Sequence, residues 1–125
     1  MSVRIKIDLF GIGTLNGELQ RYYAPLSADA ILNKLPIALR GRFSFGSKTY
    51  WTLPGIEIYK GHNPKSIKSV EKGDIIYNPK TDELLILLEN TEMPNKVNKI
   101  GIVSDNLEVL LKATNGLNTK MFKTK

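Results

Sequence analysis

The sequence predicts a mainly β fold, a closed β-barrel of about eight strands with two capping α-helices. Three observations carry this reading. Apolar and charged residues alternate with period two at the start of the chain, where Val3, Ile5, Ile7 and Leu9 interleave with Arg4, Lys6 and Asp8. Residues 84–88 form a short run that is apolar on both faces, as a doubly covered central strand requires. Between Gly73 and Val103, turn residues and strand-like segments follow one another with no room for a long helix.

In chain order, Gly11-Ile12-Gly13 interrupts the opening strand, and residues 14–21 return with Leu15 and Leu19 on one face, giving a hairpin. A helix follows, with Ser27 as N-cap and Asp29 near its positive end. Ala28, Ile31, Leu32 and Leu35 form its apolar stripe, and Pro36 stops it. Residues 38–45 and 48–53 read as a second hairpin around Gly46-Ser47. Pro54-Gly55 breaks the chain before a short strand over residues 55–59. Residues 60–70 hold Gly61, Asn63, Pro64 and two serines, and read as a surface loop.

Residues 75–77 and 83–89 are strands around Asn78-Pro79-Lys80-Thr81-Asp82, and residues 99–103 another. Leu85 and Leu87 are expected inside the barrel, with Leu84, Ile86 and Leu88 covered outside it, partly by the helices. Residues 105–112 give the second helix, capped by Ser104 or Asp105, with Leu107, Leu110 and Leu111 on its apolar face and Asn115-Gly116 ending it. The domain therefore spans residues 1–116. Residues 117–125 are a short basic tail that either adds an edge strand through Met121-Phe122 or stays loose.

Composition narrows the class. The 125 residues make one domain with an ordinary apolar fraction of 42% and no cysteine, so neither disulfides nor thiolate metal sites are available. The charged start lacks the apolar run of a signal peptide, and no segment is long enough to span a bilayer, so a cytoplasmic protein is expected. The net charge of +6 is dispersed from Arg4 to Lys125, which favours a solubilising surface over a nucleic-acid interface. Gly41-Arg42-Phe43-Ser44-Phe45 is an incomplete RNA-binding signature. His62 has no histidine or cysteine partner, and Asp82-Glu83, Asp105 and Glu108 fit turns and caps. No metal, cofactor, phosphate loop or nucleophile elbow is expected.

The order of the short motifs resembles the cyclophilin-like fold, in particular the small stand-alone cyclophilin-like proteins of bacteria and archaea. The resemblance runs through Leu35-Pro36, Arg42, Phe45-Gly46 and Tyr50-Trp51-Thr52-Leu53-Pro54. It is strongest at Gly73-Asp74-Ile75-Ile76-Tyr77-Asn78-Pro79 and ends with Leu85-Ile86-Leu87, Thr91 and Lys99-Ile100-Gly101-Ile102. Lys48-Thr49 stands where the family commonly carries an acidic residue, and Glu89-Asn90 replaces a usual Phe-Gly.

Classical cyclophilins weaken the amide resonance before proline with a positioned arginine. Here the Phe-Met-x-Gln and Phe-Phe-Ile segments that accompany that arginine are missing, so no catalytic residue is carried over. The resemblance implies a barrel and little about the task. The expected function is binding of a peptide or small apolar ligand beside Arg42, Tyr50, Trp51 and Tyr77, without classical catalysis. The alternative is a peptidyl-prolyl cis-trans isomerase using Arg42, and a third reading is a nucleic-acid-binding module. Oligomeric state is not legible from the sequence.

Overall fold

A computed structural model describes residues 2–43 and 47–124. Ser44, Phe45 and Gly46, which the sequence places at the end of the second hairpin's first strand and the start of its turn, lie outside the described residues. The elements run β1 (Ser2–Leu9), β2 (Gly13–Gln20), α1 (Pro25–Lys34), β3 (Ile37–Arg40), β4 (Arg42–Phe43) and β5 (Tyr50–Leu53). They continue with β6 (Ile67–Val70), β7 (Asp74–Asn78), β8 (Glu83–Leu87), β9 (Thr91–Asp105), a 3-10 helix (Leu107–Lys112) and β10 (Asn118–Lys123). The strands form one antiparallel path, β3-β10-β1-β2-β9-β7-β8-β5-β4, with β6 joined to β9. Ten strands thus replace the expected eight, and no ladder joins the two ends of the path among the described residues. Those end strands, β3 and β4, are separated in the chain by Gly41 alone.

The opening hairpin is as predicted, with eight residue pairs in register from Ser2↔Gln20 to Leu9↔Gly13. Ile5, Ile7, Leu9, Leu15 and Leu19 all point into the core, and each buried aliphatic side chain contributes about 1.5–3 kcal/mol. Gly11, with φ of +74°, takes a turn conformation that disfavours a side chain.

The α1 helix lies where the sequence puts it, but its start is built differently. Pro25 occupies the first turn, where its missing N–H costs nothing, and Ala24 is the cap residue with no side-chain hydrogen bond. Ser27 is not the N-cap. It is buried, and its hydroxyl accepts from Asn98 Nδ2 at 3.0 Å, tying α1 to β9.

Two apolar layers account for the doubly covered strand β8, with the faces opposite to those expected. Leu84, Ile86 and Leu88 belong to the larger core together with Ala28, Ile31 and Leu32 of α1. Leu85 and Leu87 face a smaller cluster with Val70, Ile76, Met93 and Val97. The cover over this second face is β6 and the first part of β9, not a helix. At fifteen residues, β9 is long enough to pair β6 through Thr91, Glu92 and Val97, and then β7 and β2 through residues 98–105.

Three further expectations are corrected. Residues 55–59 are not a strand, because Gly55, Glu57 and Tyr59 have φ of +75°, +57° and +50°, which no extended ladder accommodates. The second helix is a 3-10 helix preceded by Asn106 in the left-handed region, not an α-helix capped by Ser104 or Asp105. Of its predicted apolar face only Leu110 is fully buried, and Leu111 is half exposed.

The basic tail is a full member of the sheet. β10 pairs β1 from Ile5↔Lys123 to Leu9↔Thr119 and β3 from Asn118↔Arg40 to Met121↔Ile37, with Met121 and Thr119 buried. Trp51 Nε1 donates to Thr119 Oγ1 at 3.1 Å, and the indole meets Phe43 edge-on at 4.8 Å. A Cβ on Gly41 would collide with that indole, which explains a glycine between β3 and β4. No helix among the described residues is long and apolar enough to cross a membrane.

Candidate functional site

Strand geometry separates the four residues expected to form a groove. Tyr50 and Trp51 are neighbours on β5 and so point to opposite faces. Trp51 and Tyr77 are fully buried in the larger core, whereas Tyr50 packs against the smaller cluster. Arg42 is paired across β4–β5 with Thr52, and its guanidinium bonds Glu83 Oε2 at 2.9 Å. Of the predicted cluster, Trp51 and Tyr77 come together in the core, while Tyr50 faces the smaller cluster and Arg42 is exposed. The aromatic rings closest to a surface are elsewhere.

Tyr77 instead anchors a loop. Its hydroxyl donates to Asp82 Oδ1 and accepts from the Lys60 amide at 3.2 Å. The Asp82 carboxylate also accepts the amides of Glu57 at 2.7 Å, Ile58 at 3.3 Å and Tyr59 at 2.9 Å. This concave run of amides around an anion is a backbone nest, and it explains the positive φ values of Glu57 and Tyr59. Burial pushes the Tyr77 phenol far above its ordinary range, and the hydrogen bond to Asp82 adds to the shift. Burial acts to raise Asp82 too, but the bonds from Tyr77 and from the amides of Tyr59, Glu57 and Ile58 outweigh it. The Asp82 carboxyl is held below its ordinary value.

Two more ties complete the loop's attachment. Lys34 Nζ donates to the Ile56 carbonyl at 2.6 Å. Asn98, buried on β9, donates to the Gly61 carbonyl at 2.9 Å and accepts from the Asn63 amide at 3.0 Å. Residues 56–63 are therefore fixed from α1, β9 and the β7–β8 turn. Their consequence for the surface is the position of Lys65, two residues beyond the last tie.

Lys65 Nζ sits 3.7 Å from the ring centroid of Tyr22, a cation–π contact. Tyr22 is 69% exposed and meets Tyr23 edge-on at 4.8 Å. Lys99 Nζ lies 5.2 Å from the Tyr23 ring and 3.3 Å from Asp74 Oδ1. Asp74, only 5% exposed, also accepts the Glu71 amide at 2.9 Å, so the turn role expected for it is present beside an ion pair. These groups, with Ile67 and Ser69 of β6, line an open groove of about 490 Å³. Its size falls within the range of roughly 300–1,000 Å³ typical of small-molecule sites.

The groove joins the β2–α1 connection to β6, β7 and β9, elements far apart in sequence. Sequence reasoning passed over it, although adjacent Tyr22 and Tyr23 before Pro25 were a visible signal. Chemically it offers aromatic faces, two ammonium groups, two carboxylates and the Ser69 hydroxyl, which donates to Glu92 Oε2 at 2.9 Å. Among the described residues, no three of His, Cys, Asp and Glu come together as metal ligands would.

No protein-family model matches the sequence, and a search of curated proteins finds no match. Solved structures do match. The chain is similar to the solution structure of the hypothetical protein AF2241 from Archaeoglobus fulgidus, with a TM-score of 0.78 at 20% identity, over 98% of this chain and 95% of that one. It is also similar to McbB in complex with tryptophan, with a TM-score of 0.78 at 12% identity, over 96% of this chain but 44% of McbB. At such identities the likeness is one of fold, and this fold extends over essentially the whole chain.

Proposed function

We propose that this chain is a non-catalytic binding protein of cyclophilin-like architecture that holds a peptide or small apolar ligand in the tyrosine groove. The observation that carries the reading is the pair of exposed Tyr22 and half-buried Tyr23, flanked by Lys65 and Lys99 and walled by Ile67. Exposed aromatic rings beside a few fixed polar groups are the usual composition of a ligand pocket. The frame is a barrel closed through residues 37–43. In support, that one stretch pairs β10 with its first half and β5 with its second.

A ligand screen by thermal shift, covering proline peptides and small metabolites and followed by NMR titration, tests the proposal. Tryptophan belongs in the panel because McbB, a protein of similar fold, is known in complex with it. A binder should stabilise the protein by mass action and shift the resonances of Tyr22, Tyr23 and Ile67. Trp51, sealed in the core, should stay silent. Absence of any saturable binder, or binding that bypasses Tyr22 and Ile67, would overturn the assignment.

A further inference from the structure

The charges of the groove define its ligand more narrowly. Resting on the reading of this groove as a ligand site, we infer that it takes a free α-amino acid with an aromatic side chain, bound as the zwitterion. Four charged side chains line it, Lys65 and Lys99 against Glu71 and Asp74, so the walls carry no net charge. Lys99 and Asp74 already form an ion pair at 3.3 Å, which leaves the exposed Lys65 and Glu71 as the other two charges. The two ammonium groups sit against the tyrosines, Lys65 over Tyr22 and Lys99 beside Tyr23. The two carboxylates lie at the β6–β7 junction, Glu71 in the turn and Asp74 at the start of β7, where Asp74 holds the Glu71 amide.

A simple anion placed against the lysines lies close to two carboxylates, and a simple cation against the carboxylates lies close to two lysines. A ligand whose ammonium and carboxylate share one carbon offers a complement to both signs. Lys99 has three N–H donors and spends one direction on Asp74, leaving donors for a second carboxylate. Asp74 is already engaged by Lys99 and by the Glu71 amide, so the ligand's ammonium falls to Glu71, which is exposed. An aromatic side chain then has Tyr22, Tyr23 and Ile67 to pack against, where ring pairs favour edge-on or offset contact.

Calorimetric titration of the full chain with L-tryptophan, tryptamine, indole-3-propionate and indole separates these contributions. Removing either charge from the ligand should weaken binding by roughly 10- to 100-fold, the range expected for a lost charge-assisted hydrogen bond. Two exposed substitutions assign the ends. Lys65→Met should weaken tryptophan and indole-3-propionate and leave tryptamine unchanged. Glu71→Gln should weaken tryptophan and tryptamine and leave indole-3-propionate unchanged. If the three indole derivatives bind equally, or tryptophan binds no better than indole, the zwitterion assignment is wrong while the groove stands. If NMR shifts from every ligand found bypass Tyr22, Ile67 and Ser69, the groove itself is wrong.

Discussion

Replacing Thr119 with valine keeps the shape of a buried side chain and removes one oxygen. Thr119 lies on β10, 1% exposed, and its hydroxyl is the acceptor for the fully buried Trp51 indole N–H. Valine would leave that donor without a partner in an apolar core, a loss of about 1–3 kcal/mol. The Leu117 carbonyl, which also receives the Thr119 hydroxyl, keeps its bond from the Gly41 amide at 3.0 Å. The penalty therefore falls on the indole. With an unfolding entropy of about 2.1 cal/mol/K per residue, the 125-residue chain loses roughly 4 °C of Tm per kcal/mol, so a loss near 2 kcal/mol lowers Tm by about 8 °C. Urea unfolding should show a lower midpoint at constant slope. Thr119→Ser, which retains the hydroxyl, should recover most of the loss. If Thr119→Val matches the parent protein and Thr119→Ser does not exceed it, the indole has another partner and the β10–β5 tie is misassigned.

Gly41→Ala should destabilise by about 1–3 kcal/mol through the collision of its methyl with the Trp51 indole, read as a fall in the urea midpoint; an unchanged midpoint would refute that packing. Asp82, held below its unfolded value near 3.9, stabilises fully above about pH 4 and loses this as pH falls through its folded value, so Asp82→Asn should flatten the acid limb of a stability–pH curve. Tyr77, raised above its unfolded value near 10, has the opposite sign: its stabilisation is full below about pH 10 and is lost at higher pH, a loss that Tyr77→Phe should abolish. Residues 1–116 alone should fail to fold by circular dichroism, because β3 loses its partner strand and β1 one of its two; a cooperative transition would restore the shorter domain boundary.

What the sequence reveals follows the range of the interactions. The β1–β2 hairpin is legible because its alternation and its turn are local, and both hold in the structure. Ser27 looks like a cap from its neighbours, yet its hydroxyl is claimed by Asn98, 71 positions away. Ile56 and Ile58 alternate as in a strand, but the Asp82 carboxylate draws the amides of Glu57, Ile58 and Tyr59 into a nest. The five-residue apolar run correctly reports two covered faces, but which layer covers each depends on the length of β9. Arg42, Tyr50, Trp51 and Tyr77 attracted attention as a cluster, although period-two geometry already sends Tyr50 and Trp51 apart. The tyrosine groove needed Lys65 and Lys99 beside Tyr22 and Tyr23, which only the folded topology supplies.

The place of β10 between β3 and β1 sets a schedule for folding during synthesis. β1 must wait for β10 before its second edge is filled, since Leu9 pairs with Thr119. At roughly 5–20 residues per second, that interval is on the order of 5–20 s. Throughout it, the apolar inner face of β1 lacks its permanent neighbour, and an open strand edge is a template for pairing with other chains. The charged residues Arg4, Lys6 and Asp8, which alternate along the other face, guard that edge until β10 emerges.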